Sequence, residues 1–213
     1  MKKAILTIIA ILVSFSNLVY AQSGYRDYLF GTDISVITDS LKKTFPETRE
    51  LSTNSNDEEY LSFIMKHLYS SQFSNIVINP LPLIINYKTV TNNTRANDNL
   101  AFRFANNKLF AVMTYILEGS VFDALKERYG SGISYTIQTL DRRYDTLTDN
   151  NAQLWIDGSD RYILYEKFSP EAFFNERITY IDKNWADRFC KEVFEAYQKM
   201  LQERDQSNRA IID

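Results

Sequence analysis

A single cysteine, Cys190, and a single histidine, His67, stand among 213 residues, with six glycines and four prolines. One cysteine excludes an intramolecular disulfide. One histidine excludes a multi-histidine metal site and a Cys–His pair carrying a sequence signature. The glycines form neither a phosphate-cradling loop nor a nucleophile elbow. No sign of charge dominates: 24 basic and 27 acidic side chains leave a net charge of −3. Such a balance gives no general attraction to nucleic acid or anionic lipid.

Long apolar runs are absent except at the start. Lys2 and Lys3 precede residues 4–15, which are apolar apart from Thr7 and Ser14, and Val19-Tyr20-Ala21 offers compact residues to a signal peptidase. The run has the length of a signal h-region and falls short of the ~20 residues that span a bilayer. Residues 1–21 are therefore expected to be a cleavable secretory signal, with the folded protein beginning at Gln22. No cysteine follows the cleavage site, which argues against a lipoprotein. The expected product is periplasmic or secreted, has no transmembrane segment, and carries 22 basic and 27 acidic residues, a net charge of −5. It is long enough for one domain with a real core. The organisation expected is a signal peptide at 1–21, one α+β domain at 22–205 and a frayed tail at 206–213.

What is abundant is aromatic: 14 phenylalanines and 14 tyrosines. Without a disulfide, stability must come from packing, and each aromatic buries a large area. Residues 25–29 read as a short strand. Asp33 follows as an N-cap, and Ile34, Ile37, Leu41 and Phe45 recur at helical spacing before Pro46. Residues 47–56 read as a loop. Tyr60, Leu61, Ile64, Met65 and Leu68 form the stripe of a second helix over 57–71, with Asn56 as its cap. Leu83, Ile85 and Tyr87 alternate, and Pro80 and Pro82 place that strand at an edge or a strand entry. Residues 91–99 follow as an Asn-rich loop. Asn106-Asn107 is a hairpin turn, since Asn tolerates positive φ; the expected pairs are Phe104 with Leu109, Phe102 with Ala111, and Leu100 with Met113.

Ser120 is the expected cap of a third helix, which Gly130 ends. Strands are expected near 133–140, 151–157, 160–167 and 176–182, the middle pair turning at 157–160 with Trp155 opposite Tyr162. The last element is an amphipathic helix over 185–203, capped by Asn184, with Trp185, Phe189, Val193, Ala196 and Met200 on one stripe. Short turns make the strands antiparallel, and helices bracket them. The fold expected is α+β, an antiparallel sheet with helices packed on one face and a long C-terminal amphipathic helix. Residues 39–46 (Asp-Ser-Leu-Lys-Lys-Thr-Phe-Pro) echo residues 123–130 (Asp-Ala-Leu-Lys-Glu-Arg-Tyr-Gly), the mark of a possible internal duplication.

Several of these stretches carry a resemblance. The opening Tyr25-Arg26-Asp27-Tyr28-Leu29-Phe30-Gly31-Thr32, the hairpin from Phe102 to Leu109, the helix ending Tyr129-Gly130 and the strand around Trp155 resemble a set of uncharacterised exported bacterial α+β proteins. The helix-then-sheet order is similar to β-lactamase-inhibitor-like modules of bacterial envelope proteins. The resemblance implies a fold and an envelope location, and no activity.

No residue is nominated as catalytic, cofactor-binding or metal-binding. His67 borders its helix's apolar stripe near Tyr60 and Phe63, a structural or solvent-edge position. Cys190 falls on the apolar side of the last helix, where a buried thiol is inert. Asp57-Glu58-Glu59 suits a helix start, and Asp157 and Asp160 suit a turn. Residues 145–151 are rich in oxygen ligands but lack calcium-loop spacing, and read as a solvated loop. The expected role is a non-enzymatic module that binds or assembles with an envelope protein or other macromolecule. A small-ligand carrier with a pocket between helices and sheet, or a hydrolase using dispersed carboxylates, is the alternative. N-terminal sequencing of the protein secreted from a bacterial host is expected to begin at Gln22, and a mature product still carrying residues 4–15 would refute the signal assignment.

Overall fold

The computed structural model describes residues 24–25, 27–53, 59–69, 87–91, 99–116, 121–141, 146–167 and 176–210. Its centre is an eight-stranded sheet made from two antiparallel meanders that meet at their last strands. In chain order the first meander is β3 (Arg49–Thr53), β4 (Tyr87–Thr91), β5 (Asn99–Ala105) and β6 (Lys108–Ile116); the second is β7 (Ile133–Asp141), β8 (Thr146–Asp157), β9 (Arg161–Lys167) and β10 (Glu176–Asp182). The spatial order is β3-β4-β5-β6-β10-β9-β8-β7, with β6 and β10 antiparallel and Val112 opposite Tyr180. Ahead of the sheet, β1 (Gly24–Tyr25) and β2 (Tyr28–Leu29) form a two-stranded ribbon. Four helices occur among the described residues: α1 (Ile34–Thr44), α2 (Glu59–Tyr69), α3 (Phe122–Tyr129) and α4 (Lys183–Ala210). The fold is α+β with an antiparallel sheet and a long C-terminal amphipathic helix, as the residue pattern indicates.

Helices α2 and α4 share one face of the sheet, but the expectation that the helices pack on one face only is corrected by the other two. Tyr60, Leu61, Phe63, Ile64 and Met65 of α2 and Ala186 and Cys190 of α4 pack on Ala101, Ala111, Met113, Leu154, Tyr162, Leu164 and Ile181. The opposite face is covered as well. Helix α1 lies over Val90, Leu100, Phe102, Phe104, Leu109 and Val112, and α3 lies over Trp155, Ile163, Tyr165 and Ile178. Central strands that are apolar on both sides need cover on both sides. The echoing helices are the two on this second face. Leu41 and Leu125 are buried at equivalent positions, Phe45 and Tyr129 are half-buried, and a strand begins four residues later in each case, at Arg49 and Ile133. A helix followed by four antiparallel strands thus occurs twice, the first time with α2 inserted between β3 and β4.

Local chemistry sets most boundaries, with corrections to register. Asp33 caps α1, accepting from the Ser35 N–H at 3.1 Å, and Lys42 and Lys43 occupy its last turn, where cations suit the helix dipole. Asn106 and Asn107 make the hairpin turn with φ of 51° and 61°. Phe104 pairs with Leu109 as expected, but a β-bulge follows, so Phe102 meets Val112 and Leu100 meets Thr114. The extra residue puts both Phe110 and Ala111 in the core under α2 and α4. A bulge that exchanges faces costs little where both faces are apolar. The turn after β8 likewise holds three residues, 158–160, with Gly158 at φ 66°, so Trp155 pairs with Ile163 and Tyr162 lies on the other face.

Two caps come from elsewhere than expected. Ser120 lies outside the described residues; Val121 precedes α3 without a side-chain cap, and its N–H donates to Glu176 Oε2 at 3.1 Å. Helix α4 is capped by Asp182, which accepts from Trp185 N–H at 3.2 Å, while Asn184 is exposed within the first turn. The same helix continues to Ala210, so residues 206–210 are helical instead of frayed. Two expected loops contain strands: 47–56 holds β3, and Thr146–Asn151 belongs to β8, paired along its length with β7. Asn56, Pro80, Pro82, Leu83 and Ile85 lie outside the described residues, whereas Tyr87 begins an interior strand between β3 and β5.

The link from α3 to β7 is fastened to β8. Trp155 Nε1 donates to the Gly130 carbonyl at 2.8 Å and Gln153 Nε2 to the Ser131 carbonyl at 2.5 Å. Gly132, at φ 64°, sits so close that an added Cβ would lie 2.7 Å from Trp155 Nε1. Gly31, at φ 81°, has open space around it. Gly132→Ala is expected to cost about 3 kcal/mol, backbone strain plus a clash, and Gly31→Ala about 1 kcal/mol, strain alone. Urea midpoints at unchanged m-value measure the difference, and equal midpoints would show that the Trp155 contact carries no weight.

Candidate functional site

Among the described residues, titratable side chains from four elements, including His67 and Cys190, converge at the junction of α2, α4, β7 and β9. The last turn of helix α2 presents Lys66 and His67 there. His67 Nδ1 is 2.7 Å from the Tyr135 hydroxyl of β7, which donates when that nitrogen is unprotonated. The His67 ring stands edge-on to Tyr135 and to Tyr162, at 6.0 and 5.9 Å between centroids. Tyr162 donates to Asp187 Oδ1 at 2.6 Å, and Lys183 pairs with Asp187 Oδ2 while its ammonium lies 5.2 Å from the Tyr162 ring centroid. Cys190 is fully buried one turn along α4.

Electrostatics here favours neutral groups. Burial lowers the His67 pKa from 6.5; Asp187 pulls it up and Lys183 pushes it down. Burial raises Tyr135, raises Tyr162 with help from its bond to Asp187, and raises Cys190 with help from the Asp187 charge. An activated nucleophile needs the reverse, a depressed hydroxyl or thiol pKa beside a base. Both Asp187 oxygens are already engaged, by Tyr162 and Lys183, and neither bond orients the imidazole. The arrangement keeps His67, Tyr135, Tyr162 and Cys190 uncharged. It seals the joint between two helices and two strands.

Other carboxylates serve structure. Glu166 and Arg177, directly opposed on β9 and β10, form two bonds of 2.7 Å in a nearly buried pair. Burial opposes the Arg177 charge, and the Glu166 carboxylate outweighs it, holding the guanidinium pKa up. Glu176 Oε1 accepts from the Tyr165 hydroxyl at 2.8 Å, and its other oxygen caps α3. Asp157 pairs with Arg161, and Asp33 lies 3.6 Å from Lys108. Burial raises the Asp182 carboxyl, with a smaller push from Asp160, against the amides of Trp185 and Asn184 and the charge of Arg188 that lower it. Among the described residues no three His, Cys, Asp or Glu side chains are grouped to hold a metal ion. Glu166, Arg177 and Glu176 were not singled out from sequence; opposite charges facing across β9 and β10 would have signalled them had the register been known.

Beside this junction lies the outer strand β7. Among the described residues it pairs only with β8, and it runs for nine residues with Asp141 as its one charge. The opposite edge, β3, has five residues and opens with Arg49 and Glu50. On β7 the exposed Ser134 donates to Gln153 Oε1 at 2.8 Å and Thr136 to Asn151 Oδ1 at 2.7 Å, while Ile133 is 42% exposed. Lys66 of α2 reaches over to bond the main-chain carbonyl of Thr136. No helix among the described residues is long and apolar enough to cross a membrane.

Comparison with family models, with curated proteins and with solved structures returns no match, so function has to be argued from this geometry.

Because His67 is the only histidine, its imidazole signals titrate alone. NMR is expected to give a pKa below 6.5, rising toward that value in Tyr162→Phe, which frees Asp187 to act on His67. A base whose folded pKa is depressed contributes stability above its unfolded pKa and loses it as pH falls through 6.5 toward the folded value. The urea midpoint should therefore fall between about pH 7.5 and about pH 5, and His67→Gln should fall less. An imidazole pKa above 6.5 would reverse the sign and contradict the sealed joint.

Proposed function

We propose that this chain is an exported periplasmic or secreted protein, a non-enzymatic module that binds or assembles with another macromolecule through its sheet. The observation that carries the reading is the long, nearly uncharged edge at β7. Natural sheets usually shorten, charge or cover such an edge, because its unpaired N–H and C=O groups attract other chains. Here β3 is short and opens with Arg49 and Glu50, while β7 is long, carries Asp141 as its one charge and among the described residues pairs only with β8. The leader-like residues 1–21 and the resemblance to exported envelope modules support the location.

The alternatives find less support. A carrier needs an apolar hollow between helices and sheet, yet Tyr60, Phe63, Ile64, Met65, Met113 and Leu154 fill that space at 0–2% exposure. A carboxylate hydrolase needs two acids facing a substrate, and Glu166, Glu176 and Asp187 instead face arginine, tyrosine and lysine partners.

Mature protein, residues 22–213, immobilised and passed over the native envelope extract, is expected to retain a defined polypeptide that free mature protein competes away. An extract from which nothing is retained above a denatured control would refute the binding role.

A further inference from the structure

We infer that β7 accepts an extended, mostly uncharged segment of a partner polypeptide as a ninth strand of the sheet, and that Lys66 favours a segment bearing a carboxylate near Thr136. This rests on the binding role proposed above. Ile133 to Leu140 reads Ile-Ser-Tyr-Thr-Ile-Gln-Thr-Leu, without charge or proline and rich in residues that suit strands. An incoming strand meets no like charge there, and the main-chain groups of the edge supply its hydrogen bonds.

The size of the edge decides the kind of partner. Nine residues span roughly 30 Å. One added strand buries a few hundred Å², well under the roughly 1,200–2,000 Å² of a stable interface between folded proteins. That is too little to hold two folded copies of this chain together, but it suits a flexible segment that gains order by pairing. Lys66 adds the selectivity. Its ammonium now sits on the Thr136 carbonyl, a main-chain acceptor within the edge strand. A strand docking there competes for that carbonyl, and the displaced ammonium then lies beside the newcomer, where an acidic side chain complements it and a basic one repels it.

The test uses two capped, fluorescent nonapeptides of alternating threonine and valine, one with a central glutamate and the other with a central lysine. Anisotropy titration of the full mature chain is paired with backbone hydrogen exchange. Saturable binding is expected, with exchange of β7 amides slowed about tenfold. The glutamate peptide should bind about three- to tenfold more tightly than the lysine peptide, and Lys66→Ala should erase the difference. Thr136→Lys, which places a positive charge on an exposed edge position, should weaken the lysine peptide about tenfold or more, and Thr136→Glu should do the same to the glutamate peptide, each at an unchanged urea midpoint. If either variant lowers the midpoint, the same substitution at Ser134 takes its place.

Absent binding, or protection appearing on other elements and not on β7, would overturn the inference. So would β7 protection that grows with protein concentration without peptide, since a second copy would then occupy the edge. A glutamate preference that survives Lys66→Ala would remove the role of Lys66. A partner captured from the envelope that both Thr136→Lys and Thr136→Glu still hold would leave the binding role standing and exclude β7 as its seat, whereas failed capture by the unsubstituted protein removes both.

Discussion

The pairing of β6 with β10 is the seam on which the molecule depends. Each meander has three strand pairings within itself, and this seventh pairing fuses them into one sheet. The seam holds because Val112, Met113, Ile178 and Ile181 are apolar on both sides of it, and each side has its own helices. Cover on two faces doubles the apolar area removed from water per strand, which is how a chain of this size reaches stability without a disulfide. Stacked rings thicken the seal: Phe110 lies 3.8 Å from Trp185, and Trp185 5.1 Å from Phe189. Such pairs add about 0.5–1.5 kcal/mol beyond their area.

Polar groups near the seam are few and committed. Glu166 and Arg177 lose water on burial, a cost that their mutual attraction roughly offsets. What the pair adds is alignment, because a slip of β9 against β10 would strand one charge in an apolar layer. Glu176 does similar work between elements, tying Tyr165 of β9 and the first turn of α3 to β10. In the same way Asp187 couples α4 to β9 through Tyr162. The carboxylates are thus fasteners between layers.

How far the sequence reveals this differs by type of interaction. Short-range signals read well. Asp33 before Ile34, the Asn106-Asn107 turn, and the start of the last stripe at Trp185, Phe189 and Val193 each depend on neighbours within a turn or two and appear where the pattern puts them, whereas Ala196 and Met200, expected on the same stripe, are exposed. The bulge beside Arg103 does not read, because Ala111 and Val112 suit either face. The caps of α3 and α4 involve Glu176 and Asp182, one 55 residues away and the other hidden in a strand end. Strand β3 looks like a loop because its residues are charged and polar, as an edge permits. His67 reads as a border residue, which is right for its helix, while its partners Tyr135 and Asp187 come from elements far along the chain. The pattern misses the second helical layer, because Arg103 and Lys108 make one face of the β5–β6 hairpin look solvated, whereas α1 and α3 cover the face opposite α2 and α4.

The unequal ends of the sheet carry a consequence for assembly. In the vocabulary of polymer chemistry, a sheet with two open ends is bifunctional and propagates, while one with a single open end is monofunctional and terminates. The β3 end is short and its sequence opens with Arg49 and Glu50, charges that oppose edge pairing. Under the pairing proposed for β7, the sheet is then expected to take one added strand and to stop there.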